Sequence, residues 1–340
     1  MPWLPVAGMA HPRNSTRRFD DVDPTPDPTA QDDDTPPDYP GAVAPSREYM
    51  LDVGQLEIAV HEWGNAGDPP LFLIHGGFDF ARTYDVFAPL IADGGWRVVS
   101  WDQRGHGDSD HTELYSWDAD LRDAAAVMDS VTTQPAPVIA HSKGGSMSIQ
   151  LADGQPYRFS HVVNLDGIPS RRALPDVSDH ERTRMMTTDV SSWLDMRRSV
   201  AFASRKPGTI DELAERRGRM NPRLSKEWLR RLVTVGGRHD ADGWRWKIDP
   251  AMRMGGFGPW RPEWTLTRLP GLPMPFLGIL ASELEVMGFG TLPRHVTPFL
   301  PEGSRCELLE GVGHFVHIEE PQRVAEMALE FIGAPSESPR

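Results

Sequence analysis

The chain reads as an α/β protein: a mostly parallel, eight-stranded sheet flanked by helices, with one mainly helical insertion after the sixth strand. Three observations predict this. Short apolar runs such as PLFLI, WRVVSW and PVIAH alternate with longer amphipathic stretches, the pattern of strand–helix–strand units. The alternation stops near residue 170 and resumes after residue 265. Polar residues with chemical capability follow directly on the ends of the apolar runs, where parallel sheets build ligand sites.

Taken in order, residues 1–45 are rich in Pro and Asp and poor in large apolar residues. Such a segment cannot repay its ordering entropy and reads as a disordered acidic tail. REYMLDV and LEIAVHEW alternate apolar and polar residues and predict a hairpin around Gly54. PLFLIHGG predicts a buried strand, 81–93 a helix, WRVVSWD a strand and 117–131 an amphipathic helix. PVIAHS, 143–153 and HVVNLDG continue as strand, helix and strand. Residues 170–265 carry the helix-like stretches DELAERRGR and SKEWLRRLVTV and a Trp/Met-rich part. PFLGILA then predicts a strand, 290–300 a helix, RCELLEG a strand and PQRVAEMALEFIG the last helix. The expected core is therefore 46–169 with 266–335, and 170–265 is its insertion. No internal repeat is visible.

Composition narrows the function classes. The net charge is −14, but residues 170–265 hold 20 Lys+Arg against 13 Asp+Glu, and the remainder holds 15 against 36. So acidic a body argues against a nucleic-acid partner. The basic middle fits either steering of anionic substrates or simple complementarity with the acidic body. No run of eighteen apolar residues is present, so no membrane partner is expected. The start MPWLPVAGMAHPR lacks the basic, then long apolar pattern of a secretory signal. Cys306 is the single cysteine, which excludes an internal disulfide and fits a cytoplasmic location. The sequence carries no signal of oligomeric state.

The strand ends supply the chemistry. The third strand runs into His75-Gly76-Gly77-Phe78, and the fourth into Asp102-Gln103-Arg104-Gly105-His106-Gly107-Asp108-Ser109. Ser142 follows the fifth, Asp166 the sixth, Glu283 and Glu285 the seventh, and His314 the eighth. Serine, carboxylate and histidine thus share one sheet edge in the order the nucleophile-elbow architecture uses. Ser142 sits in Ala140-His141-Ser142-Lys143-Gly144, a match to G-x-S-x-G with alanine in the first small position. Small flanking residues permit the sharp turn that lifts a serine from the sheet, and an adjacent base must activate it. The helix beginning at once after Ser142 offers the Lys143 backbone N–H to an oxyanion.

From about residue 47 to 333 these motifs together resemble the α/β-hydrolase superfamily, in its serine branch with a helical cap. The carriers are His75-Gly76-Gly77, Asp102-x-Arg104-Gly105-His106-Gly107-x-Ser109, His141-Ser142-x-Gly144-Gly145 and Gly313-His314-Phe315-x-His317-x-Glu319-x-Pro321. The resemblance implies a triad of Ser142, His314 and an acid, with a second oxyanion donor in the N–H of Gly77 or Phe78. Many relatives carry the acid just past the seventh strand, where this chain has Ala281-Ser282-Glu283-Leu284. Asp166 is the expected acid, and Glu283 or Glu285 the alternative. His75 and His106 read as loop-shaping, Asp102 and Arg104 as partners within one loop, and His317 as part of a surface helix. Lys143 places a cation in a first helical turn, against the macrodipole. Its side chain therefore needs a carboxylate partner, solvent or an anionic substrate group. Trp244, Trp246 and Trp260 are the expected substrate contacts within the insertion, among Trp193, Met252, Met254, Phe257 and Trp264.

A serine at the elbow disfavours the dehalogenases and epoxide hydrolases of this superfamily, which use aspartate there. The resemblance then implies an esterase-like hydrolase needing no cofactor and no metal, acting on a carboxylic ester, lactone or thioester of a small, largely apolar molecule. Carbon–carbon bond hydrolysis, a cofactor-free lyase reaction and a non-enzymatic small-molecule receptor are the alternatives.

Overall fold

Apolar residues buried on both sides of successive strands set the order of the layers. The computed structural model describes residues 38–113, 115–169, 191, 194–200, 203–252 and 262–335. Strands β1 (Arg47–Asp52) and β2 (Glu57–Trp63) form the expected antiparallel hairpin. Its turn is closed at Gly54, whose φ of +108° suits glycine alone. Strands β3 (Pro70–Ile74), β4 (Arg97–Trp101), β5 (Ala136–His141) and β6 (Phe159–Leu165) follow. A separate hairpin of β7 (Gly237–Asp240) and β8 (Gly243–Trp246) precedes β9 (Phe276–Ala281) and β10 (Arg305–Leu309). The eight-stranded sheet runs β1-β2-β4-β3-β5-β6-β9-β10. Only β2 is antiparallel to its neighbours.

Every residue of β5 is buried, as a central parallel strand requires. Phe72, Val138, Ala140 and Val162 pack on one face of the sheet with residues of α2 (Trp117–Val131) and α3 (Lys143–Gly154). Leu71, Leu73, Ile139 and Val163 pack on the other face against α1 (Phe87–Ala92) and the C-terminal helix at Pro321–Ile332. Fully burying one such side chain stabilises the fold by about 1.5–3 kcal/mol.

Two helices expected to be continuous are broken, both at prolines. The stretch 81–93 is a 3₁₀ turn (Ala81–Tyr84) followed by α1. Pro89 has no N–H to give the Asp85 carbonyl, which accepts from the Val43 N–H at 2.8 Å instead. Likewise 290–300 is a short helix at Pro293–Val296 and a 3₁₀ turn at Thr297–Phe299, with Pro298 at the break.

In the insertion, α4 (Ile210–Gly218) starts at a Thr209–Glu212 capping box, and α5 (Lys226–Gly236) starts at Ser225, whose side chain accepts the Trp228 N–H. The β7–β8 hairpin, not anticipated from the Trp-rich sequence, adds a two-stranded sheet to these helices. Ile210, Leu213, Trp228 and Leu232 form a third cluster with Phe80 and Phe315, the residues just beyond β3 and His314. The insertion is thereby seated on the loops at the sheet's carboxyl edge. Helix α6 (Pro262–Arg268) leads back, its Leu266 joining the first core layer.

Residues 38–45, within the tail expected over 1–45, are packed against the body. Tyr39 packs edge-on against Trp228 with ring centroids 4.7 Å apart, and the Val43 carbonyl accepts from the Trp63 indole N–H at 2.9 Å. Residues 1–37 lie outside the described residues.

Candidate active site

The turn between β5 and α3 holds Ser142 at φ 52°, ψ −117°, a conformation that costs free energy for any residue with a side chain. Its surroundings enforce it. The Ser142 N–H donates to the Leu165 carbonyl at 3.0 Å, continuing the β5–β6 ladder. Two residues on, Gly144 lies so close to β3 that a Cβ would strike the carbonyls of Ile74 and His75. Among the described residues, the non-glycine residues with positive φ are Phe78, Ser142 and Asp166. All three belong to this one edge.

Asp166 follows β6 and donates its own N–H to the Ile279 carbonyl of β9 at 2.8 Å. Its Oδ1 accepts the Ala281 N–H at 3.2 Å, and its Oδ2 lies 2.6 Å from His314 Nδ1. An ionised carboxylate only accepts, so Nδ1 carries the ring proton and Nε2 is left as the acceptor. The Ser142 Oγ stands 3.0 Å from that nitrogen. Ser142, Asp166 and His314 are all almost fully buried. The alternative acids lie elsewhere. Glu283 is exposed, and Glu285 accepts the backbone N–H of His314 at 2.7 Å instead of facing its ring. Burial, opposed by that N–H and augmented by Glu319, raises the Glu285 pKa above the usual carboxylate range.

A cavity of about 390 Å³ opens over this chain of contacts, with Ser142, His314, Gly77 and Trp246 in its wall. The N–H of Phe78, one of the expected oxyanion donors, does not serve the cavity. It donates to His106 Nε2 at 3.2 Å, while His106 Nδ1–H is given to the Arg104 carbonyl at 3.0 Å. Burial holds this ring neutral, its pKa well below the ordinary value, so Nε2 stays an acceptor. Gly77 and Lys143 are the remaining candidates.

The fold matches known proteins. The profile of the alpha/beta hydrolase family matches residues 71–327. The chain belongs to that family.

Proteins and solved structures similar to this chain carry names of differing activities. The sn-1-specific diacylglycerol lipase of Mus musculus is 22% identical over 276 residues, 79% of this chain and 82% of that protein. A putative 2-succinyl-6-hydroxy-2,4-cyclohexadiene-1-carboxylate synthase of Bacillus subtilis is 22% identical over 280 residues, 82% of this chain and 95% of the relative. A serine hydrolase-like protein of Dictyostelium discoideum is 28% identical over 127 residues, 36% of this chain. This chain spans about a third of the length of that relative and of the Xenopus lipases it matches at 28–29% identity. Among solved structures, the thioesterase domain from the curacin biosynthetic pathway superposes with a TM-score of 0.71 at 22% identity, covering 84% of this chain and 99% of that domain.

The loops around the serine are held by buried polar residues. Asp102 accepts the N–H groups of Ala81 and Asp108, both at 2.7 Å, and faces His61 at 3.4 Å. Burial alone would raise its pKa, yet His61 and these N–H groups hold it well below the carboxylate range. Burial opposes the charged form of His61, but Asp102 and Glu48 push its pKa up to about 9. Arg104 does not pair with Asp102, as expected from sequence. It reaches Asp123 on α2 at 2.7 Å, fixing the loop to that helix. His75 donates from Nδ1 to the Gly76 carbonyl and accepts the Gln103 N–H, and burial lowers its pKa to about 4.

Other expectations sort cleanly. The Lys143 ammonium lies 2.7 Å from Asp120 on α2 and over the Trp117 ring, so its side chain faces away from the cavity. His317 is buried, not on the surface, and its ring contacts Tyr84, Phe87 and His141. Desolvation drops its pKa to about 3. Among the described residues no group of His, Cys, Asp and Glu could hold a metal ion. Of the tryptophans, Trp246 lines the cavity. Trp244 packs on His239 within the β7–β8 hairpin and is absent from the wall. Trp260 lies outside the described residues, as do Trp193, Met254 and Phe257. No helix among the described residues is long and apolar enough to cross a membrane.

Sequence reasoning missed Asp79, Arg205, Arg217 and Asn221, all in the cavity wall. Asp79 follows HGGF directly and was within reach of the motif. Arg217 and Asn221 stand in a uniformly charged stretch that gives no sign of which side chains turn inward.

Proposed function

We propose that the chain is a serine hydrolase cleaving a carboxylic ester, lactone or thioester through an acyl-enzyme. The observation that carries this reading is the continuous contact from Asp166 through His314 to Ser142 at the floor of an open cavity. Ser142 Oγ attacks the acyl carbon as its proton passes to His314 Nε2. Asp166 keeps Nδ1 protonated and stabilises the imidazolium that forms. The backbone N–H groups of Gly77 and Lys143 receive the oxyanion, the latter at the positive end of α3. His314 returns its proton to the departing alcohol or thiol, then draws one from the water that releases the acid.

Relatives named as a diacylglycerol lipase and a thioesterase domain support acyl transfer. The long match to a relative named as a synthase supports a second reading, a cofactor-free elimination using His314 as base. Labelling with a fluorophosphonate probe separates the two by pairing it with turnover. The hydrolase reading predicts one label per chain, absent in Ser142→Ala, and release of p-nitrophenol from p-nitrophenyl esters. A protein that labels without cleaving any ester or thioester supports the second reading. No label at all contradicts both.

A further inference from the structure

Part of the cavity wall is cationic. Arg205, Lys206, Arg216 and Arg217 all line the cavity, and the acidic member of its lining is Asp79. These cations differ in what already holds them. Arg216 gives its two terminal nitrogens to the carbonyls of Lys206 and Pro207, with Glu212 at 3.8 Å, and serves the fold. Arg205 is held by the carbonyls of Ile248 and Asp249. Carbonyls orient a guanidinium without neutralising it, so its charge stays available.

Arg217 reaches residues that adjoin the reacting centre. Its NH1 donates to the Phe78 carbonyl at 2.8 Å, one residue past Gly77, and its guanidinium carbon lies 5.9 Å from the ring of Phe315, which follows His314. Asp79 stands 3.6 Å from the same guanidinium, beyond a direct hydrogen bond. Burial pushes the Asp79 pKa up to about 6, with Arg217 opposing the rise. Among the described residues, Arg217 Nε has no hydrogen-bond acceptor, and neither does the side-chain nitrogen of Asn221, a wall residue that is 1% exposed. A buried donor without an acceptor costs about 1–3 kcal/mol, and native proteins keep few of them. Two such donors in one cavity wall fit a seat for an oxyanion that arrives with the substrate.

We propose that Arg217 and Asn221, with Arg205 and Lys206 adding positive potential, bind a carboxylate on the substrate, so that the preferred substrate is a half-ester or half-thioester of a short dicarboxylic acid. The Nε–NH2 edge of the Arg217 guanidinium, whose Nε has no acceptor and whose NH2 lies 3.6 Å from Asp79, has the spacing of the two oxygens of a carboxylate. A short spacer follows from the position of Arg217, which touches residues adjoining both Gly77 and His314. This narrows the largely apolar substrate expected from sequence and rests on the acyl-transfer reading above.

The test compares the p-nitrophenyl monoester of glutaric acid with p-nitrophenyl pentanoate, equal in length but uncharged. Wild type is expected to favour the half-ester in kcat/KM by about tenfold or more, mainly through KM. Arg217→Met is expected to erase this ratio and Arg217→Lys to keep part of it. A wild-type ratio of one or less, or a ratio unchanged in Arg217→Met, overturns the proposal. A binding arm needs no chemistry: glutarate, but not its diamide, should raise the Tm of Ser142→Ala, and Asn221→Leu should weaken the effect. Inorganic phosphate stabilising that variant more than glutarate does would overturn the choice of carboxylate. Failure of every ester with glutarate binding intact would sink the hydrolase reading and leave the anion seat standing.

Discussion

Two regions face the same cavity and are built on opposite terms. The β5–α3 turn is over-determined: Ser142 is held by a ladder bond to Leu165 and by Gly144 pressed against β3, and Asp166 beside it is pinned by its own N–H to Ile279 of β9. The stretch 205–221 is under-used: Arg217 and Asn221 present polar atoms that nothing among the described residues takes up. The difference teaches where each part of a function can live. Chemistry that depends on a 3.0 Å contact needs strained backbone fixed by a sheet, because a misplacement of about 1 Å costs orders of magnitude. Selectivity can sit on an inserted layer whose side chains vary without disturbing that edge.

Breaking the first region has the largest effect. Ser142→Ala should lower ester hydrolysis by about 10⁴-fold or more, measured as p-nitrophenol release, while the Tm stays close to wild type. Loss of less than about tenfold would move the nucleophile elsewhere.

The next prediction sharpens which carboxylate belongs to the rigid edge. Asp166→Asn should reduce kcat by about 10³–10⁴-fold, since an amide can leave His314 in the wrong tautomer. Glu285→Gln keeps an acceptor for the His314 N–H and should cost only a few-fold. Glu283→Gln, at an exposed position, should leave kcat within about twofold. An inversion of this order would assign the acid to the loop after β9.

The smallest effect concerns the packing beneath the site. His317 is buried neutral with its pKa lowered to about 3, whereas in the unfolded chain it titrates near 6.5. Below pH 6.5 the unfolded state takes up a proton that the folded state refuses, so stability falls as pH drops from 6.5 toward 3. His317→Leu removes that penalty. Its Tm should fall less steeply than that of wild type over this window, followed by thermal unfolding at half-unit pH steps. Parallel curves would show that His317 contributes nothing to acid sensitivity.

Much of the first region was legible in the sequence, and for a physical reason. Strand ends, glycines and the order of Ser142, Asp166 and His314 are local features, and a parallel sheet fixes which edge they share. What local pattern could not supply was anything decided by distant neighbours. His317 looked like a surface residue because Tyr84, Phe87 and His141, which bury it, come from three other segments. The Phe78 N–H looked available until His106, 28 residues away, took it. The Lys143 side chain found Asp120 on the preceding helix. The second region was illegible throughout, since AERRGRMN gives no period that separates Arg217 and Asn221 from their solvated neighbours.

The central claim is a covalent bond to Ser142, and it can be observed. Wild-type protein mixed with a p-nitrophenyl ester and quenched in acid within the first turnovers should yield, on digestion and mass spectrometry, a peptide carrying the acyl mass on Ser142. Full turnover with that peptide unmodified, or with the acyl group on another residue, would contradict the account.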